Sequence, residues 1–75
     1  FYRTLREAWK RARQCLLFNF LSTHHGPGFP SEDEVARRRD PLKVLAEAFG
    51  YTRQVIVRHD YYRGHDCTMA WSREE

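Results

Sequence analysis

The chain is poor in cysteine, lysine and long apolar runs, and each shortage closes off a class of protein. Two cysteines, Cys15 and Cys67, allow one bridge at most. A secreted disulfide scaffold normally carries four or more, so two free thiols in a reducing, intracellular compartment are expected. The longest apolar run, residues 15–18, stops at Asn19. A bilayer-crossing helix needs about 20 such residues, so no transmembrane span is expected. No signal-peptide pattern is present within these residues. Glycine is also sparse, and Gly26 and Gly28 are separated by Pro27, which lacks the N–H that a phosphate-cradling loop uses. No catalytic or cofactor motif is present, and no cofactor is expected.

Seventy-five residues make one domain at most. A chain of this size buries only about 60% of its unfolded surface, so its own core is marginal. Aromatic residues make up 15% of it, more than a small core readily encloses, which favours an interface role for some of them.

Eleven arginines stand against two lysines, for a net charge of +3. Arginine presents a planar fork suited to carboxylate and phosphate. Residues 1–22 hold five cations and one acid, residues 23–50 four cations and five acids, and residues 51–75 four of each. The whole excess therefore sits on the first segment.

That segment reads as one long helix over residues 2–22. Tyr2, Leu5, Trp9, Ala12, Leu16 and Phe20 recur at spacings of three and four. Arg3, Arg6, Lys10 and Arg13 form a separate basic stripe, for which acidic protein, anionic lipid headgroups and RNA phosphates are the candidate partners. From Cys15 onward Leu17, Phe18 and Leu21 fall outside the first apolar stripe, so the second half is apolar on nearly every side and predicts burial. The expected partner-binding surface is Trp9, Leu16, Leu17, Phe18, Phe20 and Leu21.

Residues 23–31 read as a loop, with two Gly and two Pro in nine residues. Ser31 and Glu34 match a capping box that opens a short helix over residues 32–39. Asp40-Pro41 starts another helix, over residues 41–49, burying Leu42, Leu45 and Phe49 with Val44 as a further candidate, and Gly50 follows as its C′ residue. Thr52, Val55, Ile56 and Val57 turn the pattern to β, and a hairpin over residues 52–72 closes through a turn at residues 63–66. Residues 73–75 are expected to fray. The expected fold class is α+β: a long N-terminal amphipathic helix, two short helices and a C-terminal hairpin.

His59, His65 and Cys67 are the weak candidate set for zinc, at a spacing that matches no zinc finger. Cys67 near His65 suggests nucleophile and base, but close spacing in a strand does not make active-site geometry. Arg37, Arg38 and Arg39 read as a solvated helix end or a second docking point for phosphate or carboxylate.

Phe1-Tyr2-Arg3 followed by Leu5-Arg6 resembles the Leu-Tyr-Arg motif that opens the LYR-motif family of mitochondrial three-helix proteins, with Phe in place of the leading Leu. The predicted hairpin departs from that fold. Three helices and a hairpin are similar in order to a winged-helix DNA-binding domain, although the third helix carries only Lys43 as a cation. The chain begins at Phe1 without Met, as after removal of an organelle presequence or in a trimmed fragment. The expected function is that of a non-catalytic accessory subunit of a large, mitochondrial multiprotein complex, such as a respiratory-chain or ATP-synthase complex or an organellar ribosome. The alternative is a small nucleic-acid-binding domain.

Overall fold

The fold is taken from a computed structural model that describes residues 1–28 and 37–74. These contain two helices and a three-stranded antiparallel sheet, an α+β arrangement in the order α1 (Tyr2–Arg11), β1 (Cys15–Leu21), α2 (Pro41–Ala48), β2 (Gln54–Arg58) and β3 (Asp66–Ser72). The sheet order is β1-β3-β2, so the last strand lies in the middle and pairs on both sides.

The N-terminal helix is short. It buries Leu5 and Trp9, one turn apart, and its last turn carries Lys10 and Arg11, where the helix dipole favours cations. It ends at Ala12, whose backbone is already extended. The predicted helix over residues 2–22 is corrected here: its second half is β1. Leu16 and Phe20 satisfy a period of two as readily as a helical one, Phe18 satisfies only the period of two, and β1 finds a partner for its whole length. Residues from Cys15↔Ser72 to Leu21↔Asp66 pair with β3. Seven pairings satisfy the ladder of backbone groups and seat the alternate side chains on the core. This strand also breaks the helix–helix–helix–hairpin order on which the winged-helix similarity depends.

The predicted hairpin exists but is only two thirds of the sheet. Gln54↔Ser72 to Arg58↔Thr68 join β2 to β3, and β1 covers the other edge of β3. The turn between them is a short 3-10 segment, Tyr62–Gly64, one residue earlier than expected. Tyr62, Arg63 and Gly64 all have positive φ, at 48°, 52° and 75°. At Gly64 a Cβ would lie 2.7 Å from both the His24 carbonyl oxygen and the His59 ring. Only glycine fits there.

Asp40 caps α2 as expected, its side chain accepting from Leu42 N at 3.0 Å, and Pro41 opens the helix. The buried face differs from the expected one. Val44 and Ala48 are fully enclosed, whereas Leu42 is 66% and Phe49 56% exposed. Val44 and Ala48, four apart, face the core with Leu45 half-buried against it, and Leu42 and Phe49 turn outward. The predicted helix over residues 32–39 and its Ser31–Glu34 capping box lie mostly outside the described residues. Its described end, residues 37–39, is a turn leading to a bridge between Arg39 and Ser22.

Both helices pack on one face of the sheet. The core is Leu5, Trp9, Phe20, Val44, Ala48, Cys67, Met69 and Trp71. Along β3 the alternation is strict, with Cys67, Met69 and Trp71 inward. Trp71 is the hub: Trp9, Phe18 and Tyr51 lie 6.3, 5.1 and 5.9 Å from it between ring centroids. Trp9 and Trp71 are buried and Phe18 and Tyr51 partly so; fully burying a large apolar side chain contributes about 1.5–3 kcal/mol.

Candidate functional site

The six residues expected to form one partner surface divide between two faces. Strand alternation sends Leu16, Phe18 and Phe20 toward the helices, where Phe20 joins the core beside the buried Trp9. Leu21 is half-buried. Leu17 is the one fully outward member, 70% exposed.

Leu17 is not alone on its face. It pairs with Ala70, and Ala70 pairs across β3 with Ile56, which is 63% exposed. Side chains opposite each other in neighbouring strands lie about 5 Å apart, so the three make a continuous apolar row about 10 Å wide. Alanine in the middle leaves a shallow slot between two larger side chains. Polar rows border it on both sides: Cys15, Ser72 and Gln54 on one, Asn19, Thr68 and Arg58 on the other. A hydrogen bond of 2.5 Å between the Tyr61 and Thr68 hydroxyls fixes the second border.

The basic residues occupy the other layer. Arg3, Arg6 and Lys10 are exposed along α1, and Arg13 is exposed just past its end. Lys10 makes a surface contact with Glu7 at 3.6 Å. Between the start of α1 and α2 lies a cleft of about 360 Å³ lined by Phe1, Tyr2, Thr23, Arg38, Arg39, Asp40 and Lys43. Burial raises the pKa of Tyr2 there, opposed by Arg39. The hydrogen bond that Tyr51 donates to the Glu47 carboxylate, at 2.8 Å, raises the pKa of Tyr51.

Arg38 is used structurally. It is buried and donates to the carbonyls of Ser22 at 2.7 Å and His65 at 3.1 Å, and it lies 3.0 Å from His65 Nδ1. Of the expected arginine triplet, this member ties the end of β1 to the start of β3.

His59, His65 and Cys67 do not converge. His65 faces Arg38, His59 faces Ser22, and Cys67 points into the core, where burial raises its thiol pKa. Among the described residues no group of three His, Cys, Asp or Glu is placed to hold a metal ion. Both cysteines are free thiols, Cys15 exposed and Cys67 buried.

One constellation escaped sequence reasoning. Ser22 Oγ lies 2.7 Å from His59 Nε2 and accepts from His24 N at 2.9 Å, while His24 Nε2 lies 3.1 Å from Asp40 Oδ1. A cavity of about 310 Å³ beside it is lined by His24, Pro41, Leu42 and His59. A serine touching an imidazole is the pairing of a nucleophile with its base. Ser22, however, has no exposed surface and its oxygen is engaged on both sides. The cluster joins the loops after β1 and β2. The 37-residue separation of Ser22 and His59 left no local signal.

Arg73 was also hidden. It donates to the carbonyls of Ala12 and Trp9 and lies 3.8 Å above the Trp9 ring, closing the C-terminus of α1. Arg53 and Glu74 form a bidentate pair beside it, at 3.1 and 2.9 Å. Among the described residues no helix is long and apolar enough to cross a membrane.

No family model, no curated protein and no solved structure matches this chain.

Proposed function

We propose that this chain is a non-catalytic accessory subunit of a large intracellular assembly, such as a mitochondrial respiratory or ATP-synthase complex or an organellar ribosome, and that it docks through the open face of its sheet. The observation that carries this reading is the Leu17–Ala70–Ile56 row. An apolar centre within a polar border is the anatomy of a protein interface. The slot over Ala70 suits a branched or aromatic side chain of a neighbouring subunit. The docking element is thus the sheet, in place of the aromatic helix that the sequence suggests, because the aromatic residues of that segment are committed to this chain's own core.

The test is native electrophoresis of the tagged chain in extracts of its source cells. Wild type is expected in a high-mass band, and the double variant Leu17→Lys/Ile56→Lys at monomer mass with an unchanged circular dichroism spectrum. Monomer migration by wild type, or an undisturbed high-mass band in the variant, refutes the docking surface.

A further inference from the structure

We propose that the outer face of α1 binds the phosphodiester backbone of a nucleic-acid strand through Arg3, Arg6 and Lys10, with Lys43 of α2 at the flank. This goes beyond the docking role and stands on a different layer of the molecule.

The charge balance is the first support. The chain has 13 Lys and Arg and 10 Asp and Glu, but four of the acids (Glu32, Asp33, Glu34 and Glu75) lie outside the described residues. Each of the other six is engaged within the fold: Glu7 with Lys10, Asp40 with His24, Glu47 with Tyr51, Asp60 with Arg58, Asp66 with His65 and Glu74 with Arg53. Among the described residues no carboxylate pairs with Arg3, Arg6 or Lys43, and Lys10 has only the loose contact with Glu7. Positive charge therefore faces solvent in a line, seven residues or about 10 Å from Arg3 to Lys10 along the helix.

The second support separates a nucleic acid from the other anionic partners. A helix that lies on a lipid surface inserts its apolar side. The apolar side of α1, Leu5 and Trp9, is buried in the core. The exposed apolar row is on the far face of the sheet and the exposed Leu42 and Phe49 belong to α2 and its C-cap, so α1 itself offers no apolar side for insertion. A protein partner needs an apolar centre to dehydrate. The outward residues of α1 are Arg3, Thr4, Arg6, Glu7, Lys10 and Arg11, none of them apolar. A linear polyanion needs neither insertion nor an apolar anchor, and its binding draws on counterion release alone. Arginine suits it further, since its fork holds phosphate oxygens two at a time. So few contacts predict weak, sequence-independent binding, with Kd between about 10⁻⁴ and 10⁻⁶ M at physiological salt.

The experiment is fluorescence anisotropy of the whole chain with two labelled single-stranded RNA 20-mers of unrelated sequence. Sedimentation with phosphatidylserine–phosphatidylcholine vesicles and competition by polyglutamate run in parallel. Both RNAs are expected to bind equally, with a log–log salt slope of about −2 to −3, since each neutralised phosphate adds about 0.7 for a single strand. Arg3→Gln/Arg6→Gln/Lys10→Gln should lose at least tenfold in affinity and most of that slope. Arg53→Gln, which removes one exposed charge outside α1 and outside the apolar row and its borders, should change neither by more than twofold. These positions are exposed, so an unchanged thermal melt certifies the variants' fold. Absence of RNA binding, an unaffected triple variant, or vesicle or polyglutamate binding as tight as RNA overturns the proposal. None of these outcomes bears on the sheet face, which is untouched in every variant.

Discussion

Arg73 lies over the Trp9 ring and donates to the last carbonyls of α1, while the Phe1 end of that helix has no side-chain cap. Next to it, Arg53 clasps Glu74, whose carboxyl also accepts from the Arg53 backbone N–H at 2.7 Å. The hydrogen bonds from Arg53 hold the Glu74 pKa down, from 4.5 to about 2. A depressed folded pKa means that the pair's contribution is complete above 4.5 and is lost as pH falls from there through about 2. Wild type should therefore lose more urea stability between pH 5 and pH 2.5 than Glu74→Gln does. Parallel losses in the two proteins would show that the clasp does not form in solution.

Among the elements, the turn joining β2 to β3 is the least replaceable. Three consecutive left-handed residues, Tyr62, Arg63 and Gly64, bring the Arg63 carbonyl to Gly26 N at 2.7 Å and the His65 carbonyl to Ser22 N at 3.0 Å. The turn thus anchors the loop after β1 as well as the hairpin. Left-handed backbone costs about 1–2 kcal/mol for a residue with a Cβ, before any clash. Gly64→Ala adds contacts of 2.7 Å with His24 and His59. We expect its melting temperature to fall by at least about 5–10 °C, at about 4–8 °C per kcal/mol for a domain of this size. A melt within about 2 °C of wild type would mean that the loop relaxes freely. Substitution of Gly28, also at positive φ but with no neighbour within 4 Å, should cost less.

At the scale of the whole molecule, one layer of helices covers one face of one sheet, and the two cysteines report on its integrity from opposite sides. Cys15 is exposed, and Cys67 is enclosed with its thiol pKa raised by burial. A thiol reagent at neutral pH should modify one cysteine per chain in buffer and two in denaturant, with Cys67 reacting only as fast as the fold opens. Two equivalent reactive thiols in buffer would contradict the core. Sequence alone determined the parts governed by neighbours along the chain: the Asp40–Pro41 start of α2, the α1 stripe of Leu5 and Trp9 with its basic flank, the β character of residues 54–58 and 66–72, and the α+β class. These follow from capping chemistry, 3.6-residue periodicity and β-branching, all local. Tertiary structure decided whether residues 15–21 became helix or strand. Leu16 and Phe20 fit both periods and Phe18 only the period of two, no glycine or proline marks the break after Arg11, and the strand partner lies some fifty residues away in β3. Pairing with β3 settled the conflict, because seven residues gained a full ladder and a face on Trp71 at once. The same long-range choice buried Arg38, joined Ser22 to His59 and left Leu17 outside beside Ile56, none of which has a local cause.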